Sequence, residues 1–353
     1  MYAKRLIKTN GLLTAVFVAL MGTIAIPGIS GAKEVNLYSY RQPFLINPLL
    51  EAFTKETGIK VNVVYANKGM LEKIRAAGAN NPADAILTVD VGRLDELRAA
   101  GVLAPVKSDV LNANIPAHFR HPDGLWFALT TRARMALVSK ERVKPGELKT
   151  YADLAAPKFK GRVCLRSGKH QYNVALIASV IAHDGEAAAE KWLRGLKANL
   201  ARKPQGNDRA QAKAVYEGVC DIAIANNYYM AAMMTNEKNP EQKKWAAAVR
   251  LTYLNQGGRG QHVNVSGAAV LKDAKHRAEA VKLLEFLSSD KAQKIYAEVN
   301  NEYPVKDGIA HSKIVASWGP FKADTLSIEE IAKYRPAATK LVDKVGFDDG
   351  PNS

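Results

Sequence analysis

The chain has 353 residues, of which 47% are hydrophobic and 24% charged, and this ordinary composition excludes a fibrous or largely disordered protein. Its formal charge of +16 would suit a nucleic acid or an anionic membrane surface. However, the lysines are scattered along amphipathic segments such as residues 191–203 and 272–282, without a nucleic-acid motif, so we interpret them as solvated helix faces and expect no nucleic-acid partner.

The first 32 residues predict export from the cytoplasm. Three cations precede an apolar run over residues 12–26, which ends at Pro27 and is followed by small residues. That order is typical of a signal peptide with its cleavage site. The alternative is an uncleaved membrane anchor, but the proline and the small residues fit processing better. We expect cleavage after Ala32, a periplasmic product with a formal charge of +13, and no stable membrane insertion.

Predicted strands and helices then alternate along the chain. Strands are predicted at residues 35–40, 60–65 and 85–89, and helices at residues 48–56, 70–77 and 92–100. Such alternation predicts a parallel sheet with helices on both faces. Because ligands of these sheets bind beyond the carboxyl ends of the strands, the residues after each strand are the first site candidates. They are Arg41, Gln42, residues 67–69 and Asp90.

A second set of elements follows, too large for one sheet. Strands are predicted at residues 136–138, 163–166, 222–225 and 263–271, and helices at 174–183, 187–200, 209–217, 228–234, 274–287 and 291–299. The exported chain also exceeds the size at which one core stops growing. We predict an α/β fold of two lobes with a ligand in the cleft between them. The N-terminal lobe comprises residues 33–133 and 263–305, and the C-terminal lobe comprises residues 134–262 and 306–353. Only residues 348–353 are predicted to lack order.

Cys164 and Cys220 are the only cysteines, and each lies in a short β-like run. In an oxidising compartment such a pair is predicted to form a disulfide. Closing this loop contributes about 4 kcal/mol in the chain-entropy model. Two cysteines without a CxxC motif make a poor metal site, so we expect a structural role.

Common catalytic motifs are absent from the sequence. It contains no HExxH, no P-loop and no GxSxG, and its seven histidines lack zinc-type spacing. We therefore expect a binding protein and no enzyme.

Two polar segments that follow predicted strands stand out. Tyr228 and Tyr229 come directly after the strand at residues 222–225. Consecutive helical side chains diverge by about 100°, so one buried and one surface tyrosine is the alternative to two phenols in a cleft. Tyr172 follows a turn at residues 166–171, whose backbone N–H groups suit an anion. Alone, Tyr172 would be an ordinary amphipathic tyrosine.

Ten short strings, spread over most of the chain, occur together in one order. They are YSYRQ at 38–42, PAD at 82–84, LTVD at 87–90, WF at 126–127, RAR at 132–134, KGRVCLRS at 160–167, YN at 172–173, PQGND at 204–208, NYY at 227–229 and HVNVSG at 262–267. In combination they resemble the bacterial periplasmic ferric-ion-binding proteins, a branch of the type II periplasmic binding proteins. The resemblance runs from about residue 35 to residue 336.

This resemblance implies a two-lobed type II fold in which Tyr172, Tyr228 and Tyr229 bind Fe³⁺. The chemistry is consistent, because three phenolates of charge −1 balance a hard trivalent cation. Binding must expel the phenol protons, so capture should weaken as pH falls. The protein would be the solute-binding component of an ABC importer, present ferric iron to an inner-membrane permease and act as a monomer.

The sequence departs from the family in the first lobe. Some members supply a histidine and a tyrosine where this chain has Gln42 and Pro43, and proline cannot ligate a metal. A small anion such as carbonate, or water, is then expected to complete the iron shell. The candidates to hold it are Arg41, Gln42 and Arg132 or Arg134.

Tyr40 is a further candidate ligand, although in a strand it shares a face with Tyr38 and would then pack. The same fold could also bind another solute, namely an organic anion, a phosphate ester, thiamine or a polyamine, because fold does not determine ligand. A secreted enzyme and a cationic surface protein are alternatives from other classes. Neither explains the clustered tyrosines.

Overall fold

The computed structural model describes residues 33–351. The predicted signal peptide, residues 1–32, lies outside this range. None of the helices between residues 33 and 351 combines the length and the apolar character that crossing a membrane requires.

Ten strands lie in the described part of the chain. They are β1 Glu34–Ser39, β2 Lys60–Tyr65, β3 Ala85–Thr88, β4 Leu103–Ala104, β5 Phe127–Ser139, β6 Val163–Cys164, β7 Ile222–Asn226, β8 Val249–Thr252, β9 Val263–Leu271 and β10 Tyr303–Pro304.

Fourteen α-helices lie in the same range, together with short 3₁₀ turns. They are α1 Pro43–Thr57, α2 Met70–Ala77, α3 Val91–Ala99, α4 Asp109–Asn114, α5 Gln171–Asp184, α6 Glu186–Ala198, α7 Asp208–Tyr216, α8 Asn227–Met234, α9 Glu241–Ala248, α10 Arg277–Leu287, α11 Asp290–Asn300, α12 Lys313–Ala316, α13 Ile328–Lys333 and α14 Arg335–Val345.

The strands form one mixed sheet whose main order is β2-β1-β3-β9-β5-β7-β6. β1 runs parallel to β2 and β3, whereas β9 runs antiparallel between β3 and β5. β5 changes partners along its length. Its residues up to Ala133 pair with β9, and those from Arg134 onward pair with β7. The sheet therefore has two halves, which β5 joins.

Strand β5 begins well before the predicted strand at residues 136–138. All 13 of its residues are buried, including Thr130, Arg132 and Arg134. These polar residues interrupt the apolar pattern on which the prediction rested. They are buried because distant side chains pair with them, which the local sequence does not reveal.

Helix α1 also begins earlier than predicted, at Pro43 instead of residue 48. A proline suits the first helical turn, where its fixed φ fits and its missing N–H group is not needed. Pro48 lies inside the helix, where it removes one backbone hydrogen bond. Gly58 ends the helix with a φ of 70°, a conformation that glycine adopts without strain.

The C-terminal segment is more ordered than predicted. The prediction of disorder for residues 348–353 is wrong for Asp348 and Asp349, which belong to a 3₁₀ turn after α14. Phe347 in the same turn is buried, and the Asp348 carboxylate is hydrogen-bonded to Ser167 and Gly168. Buried area and hydrogen bonds hold this turn in place.

The predicted disulfide between Cys164 and Cys220 is confirmed, with the two Cα atoms 5.9 Å apart. It ties β6 to the segment that enters β7, within an apolar cluster that includes Ala223 and Met233. The disulfide thus braces the strand that leads to Tyr228.

Candidate functional site

The turn from β7 into α8 places two adjacent phenols at one end of the sheet. β7 ends at Asn226 and α8 begins at Asn227, so Tyr228 and Tyr229 lie in the first turn of the helix. Their ring centroids are 4.5 Å apart and their planes differ by 37°. Both rings line the same cavity. The structure therefore shows two cavity phenols, and not one buried and one surface tyrosine.

Tyr172 lies in the first turn of α5 and reaches the same cavity. The Tyr228 hydroxyl donates a hydrogen bond to the Tyr172 hydroxyl over 3.1 Å. His170 caps α5 by accepting the Tyr172 N–H group, and its ring packs edge-on against the Tyr172 ring at 4.5 Å. Burial lowers the pKa of His170 to about 3, so the capping ring is neutral. The structure thus brings together all three tyrosines that the sequence predicted as ligands.

The cavity has a volume of about 590 Å³ and lies between the two halves of the sheet. The second half contributes the three tyrosines and Arg209. The facing residues include Tyr40, Arg41, Gln42, Val89, Arg132, Asn300 and Glu302.

Two buried arginines face the tyrosines and share one carboxylate. Arg41 donates to Glu302 at 2.9 Å, and Arg132 forms an ion pair with Glu302 at 3.2 Å. Both guanidinium groups also donate to the Ser266 hydroxyl. The Nε atoms of both arginines are buried and have no hydrogen-bond partner among residues 33–351. Two positive charges against one negative charge leave this wall of the cavity cationic.

Arg134 is not brought to the cavity. Its guanidinium donates to Asp208 at 2.6 Å, to Asn173 at 2.8 Å and to Asn226 at 3.1 Å. Burial alone would raise the pKa of Asp208, but the charges of Arg134 and Arg166 outweigh burial and lower it. Arg134 therefore braces the loops behind the tyrosines.

Of the other candidates from the sequence, Gln42 and Tyr40 line the cavity, whereas residues 67–69 and Asp90 are not among its lining residues. Gln42 precedes α1 and is exposed, and its side chain makes no capping hydrogen bond. Tyr40 follows β1, where its hydroxyl accepts the Met70 N–H group at 3.2 Å and the Arg93 guanidinium lies 4.0 Å from its ring centre. Asn207 caps α7, and its side chain accepts the Ala210 N–H group.

Arg209 and Glu302 are among the cavity residues that the sequence did not predict. Arg209 lies at the start of α7, with its guanidinium 4.9 Å from the centre of the Tyr229 ring. Its place directly after the PQGND string was the available signal. Glu302 follows Asn301, a residue with a φ of 52°, in a short polar run that carries no recognisable motif.

The free site keeps the phenols of Tyr228 and Tyr229 protonated. Burial raises the pKa of Tyr228 well above its ordinary value, and the neighbouring tyrosines add to this. Burial likewise raises the pKa of Tyr229 to about 12. Arg132 lies 5.7 Å from the centre of the Tyr228 ring and, with Arg209, would favour a phenolate once a cation has displaced the proton.

Other donor sets for a metal are missing from the described chain. No group of three or more His, Cys, Asp or Glu side chains between residues 33 and 351 could hold a metal ion. The phenol oxygens of the cavity are donors that suit a hard cation.

Residues 38–294 match the model of a protein family described as bacterial extracellular solute-binding proteins. The chain belongs to this family. This solute-binding protein is 46% identical over 316 residues to iron uptake protein A1 of Synechocystis sp., with 89% of this chain and 88% of that protein covered.

Two solved structures resemble this solute-binding protein over nearly its whole length. Ferric iron-binding protein A of Mannheimia haemolytica, in an open conformation, has a TM-score of 0.86 and 52% identity, covering 90% of this chain and 100% of that one. A Trichodesmium protein in complex with iron and citrate has a TM-score of 0.86 and 45% identity, covering 89% and 99%. These relatives confirm the two-lobed type II fold, the resemblance to ferric-binding proteins and the expectation of a transport protein instead of an enzyme.

Proposed function

We propose that this protein captures ferric iron in the periplasm, with the phenolates of Tyr172, Tyr228 and Tyr229 as ligands, and delivers it to the inner-membrane permease of an ABC importer. The observation that carries the proposal is the convergence of three phenols in one cavity, two of them with hydroxyl oxygens 3.1 Å apart. Iron binding between the lobes favours their closed arrangement, which the permease recognises.

The donor set favours Fe³⁺ over other solutes. Three phenolates carry a total charge of −3, which matches a hard trivalent cation that prefers oxygen anions. An organic anion or a phosphate ester would need arginines and backbone N–H groups without three converging phenols. The relatives named as iron uptake and ferric iron-binding proteins support the same cargo.

A small anion completes the iron shell on the opposite wall of the cavity. Arg41 and Arg132 outnumber their shared partner Glu302, and their buried Nε atoms lack partners among the described residues. Carbonate is the anion that we propose, with Gln42 as a further donor and citrate as the anion found with iron in the Trichodesmium relative. Tyr40 is the weaker candidate for a fourth protein ligand, because its hydroxyl already accepts the Met70 N–H group.

We further propose that the lobes divide where β5 changes partners. Ala133 is the last β5 residue paired with β9, and Arg134 is the first paired with β7. This position supports a first lobe of residues 33–133 and 263–305 and a second of 134–262 and 306–353. We also propose that residues 1–32 are a signal peptide that directs the protein to the periplasm. The exported protein acts as a monomer.

The test is a titration of the metal-free protein with ferric iron in the presence of bicarbonate. Phenolate-to-iron charge transfer should give a visible absorption band that saturates at one iron per protein. The titration is repeated without bicarbonate and again with citrate in its place. The change in the absorption band and in iron affinity then shows whether binding depends on the anion. A colourless protein that leaves iron with a weak chelator would overturn the proposal.

A further inference from the structure

The loop before Tyr172, residues 165–171, receives a carboxylate from the far end of the chain. The sequence predicted that its backbone N–H groups suit an anion, and the anion in the structure is Asp348. The Asp348 carboxylate accepts from the Ser167 hydroxyl at 2.5 Å and from the Gly168 N–H group at 2.7 Å. Two short charge-assisted hydrogen bonds therefore hold this loop from outside.

The C-terminal segment packs closely against this loop. A Cβ atom at Gly168 would lie 2.8 Å from the Phe347 ring and 3.0 Å from a Val342 methyl group, so this position requires a glycine. Arg335, at the other end of α14, donates to the Gln171 carbonyl at 3.4 Å. Helix α14 and the turn after it thus contact the loop at both of its ends.

The inner side of the same loop is also held. The Asn173 amide donates to the carbonyls of Arg166 and Ser167, each at 3.0 Å, and its oxygen accepts from Arg134 at 2.8 Å. Tyr172 lies between these two anchors, directly after the loop. The two anchors therefore hold the backbone on the N-terminal side of Tyr172 and the residue that follows it.

From this geometry we infer that Asp348 is a positioning residue for Tyr172: it holds the loop at residues 165–171 so that the phenol oxygen meets the iron at ligand distance. This inference rests on the proposed function. Asp348 does not line the cavity, so it acts through the loop alone. Ligands must be held within about 0.5 Å of their productive geometry, and groups that orient a ligand typically change metal affinity by about 10–100-fold.

The test compares three variants of the full exported protein. Asp348→Asn removes the charge that receives both bonds, and Ser167→Ala removes one donor. Asp349→Asn is the matched control, because it makes the same charge change at the adjacent, exposed residue. Iron affinity, measured by competition with a chelator, should fall about 10–100-fold in Asp348→Asn and less in Ser167→Ala. The charge-transfer band should shift in the same two variants and stay at the wild-type wavelength in Asp349→Asn.

Thermal unfolding of each variant shows that it is folded. A measurement on the metal-free protein separates the proposed iron binding from the proposed role of Asp348. Hydrogen exchange at the Gly168 amide should be faster in Asp348→Asn than in wild type or Asp349→Asn. If wild type binds no iron, the proposed function fails, while faster exchange still supports the hold of Asp348 on the loop. Unchanged exchange, or wild-type affinity and an unshifted band in folded Asp348→Asn, would overturn the inference.

Discussion

The hydroxyl groups of Tyr228 and Tyr172 are joined by a 3.1 Å hydrogen bond that links α8 to α5. One of the two oxygens must hold a proton for this bond to exist. A metal that takes both oxygens as ligands has to expel that proton and replace the bond with its own charge. In the metal-free protein the two phenols are therefore joined by the proton that a bound metal would displace.

Replacing any one of Tyr172, Tyr228 and Tyr229 by phenylalanine should lower iron affinity by more than about 100-fold, beyond the usual effect of a residue that only orients a ligand. The visible band should weaken in all three variants, as absorption titrations will measure. Tyr253→Phe is the matched control. Tyr253 lies outside the cavity, and its hydroxyl is 3.0 Å from the hydroxyl of Tyr303. If the control loses affinity equally, the loss is not specific to the three tyrosines.

Iron capture should release about one proton for each phenol that becomes a ligand. Burial raises the pKa of Tyr228 and Tyr229 above the ordinary value, so both are neutral at pH 7 in the free protein. Affinity should rise with pH, by about tenfold per pH unit for each proton released, and iron should dissociate in acid. Proton release on iron binding, measured in weak buffer, should be smaller by about one proton for Tyr229→Phe. An affinity that does not change between pH 5 and pH 8 contradicts phenolate ligation.

The buried pair of Arg134 and Asp208 should carry much more stability than an exposed pair of similar length. Asp208 accepts from Arg134 at 2.6 Å and is fully buried, whereas Glu56 and Lys291 meet at 2.9 Å on the surface. Asp208→Asn leaves buried guanidinium charge uncompensated and should cost about 3–5 kcal/mol. Glu56→Gln should cost less than about 1 kcal/mol. Urea unfolding of both variants makes the comparison, and equal losses would show that burial does not matter here.

The pH dependence of Asp208 follows from the sign of its shift. Its pKa is lower in the folded protein than in the unfolded chain, so it binds fewer protons when folded. Its contribution is therefore present above the unfolded pKa and is lost as pH falls through the folded value.

His262 should make the protein less stable in mild acid. Burial lowers its pKa to about 4, and neither ring nitrogen has a hydrogen-bond partner among the described residues. In the unfolded chain the pKa of His262 is near 6.5, so between about pH 4 and pH 6.5 the unfolded chain binds more protons than the folded protein. Stability should fall by up to roughly 3 kcal/mol as pH drops from about 6.5 to 4. His262→Phe should flatten this slope in urea unfolding at pH 4.5 and 7, and an unchanged slope would exclude His262 as its source.

Much of the fold could be predicted because its signals are local. The bounds of β2, α2 and β9 match the predicted ranges. The signals that predict them are the hydrophobic periodicity and the flanking glycines, and both depend only on residues that are close in the sequence. The position of Tyr228 and Tyr229 after β7 could also be predicted, because the residues that end a strand lie next to it in the sequence. The prediction that they are ligands came from the resemblance of whole strings and not from their spacing.

The sequence by itself determined the alternation of elements and the cysteine pair, and it predicted the export signal and the three candidate tyrosines. Tertiary structure alone decided which charges share a buried site. Arg41 meets Glu302 across 261 positions of the chain, and Ser167 meets Asp348 across 181. Any exposed carboxylate, or water, could have satisfied these donors equally well in the unfolded chain. Packing removes water and admits only one partner, and that choice depends on the whole fold.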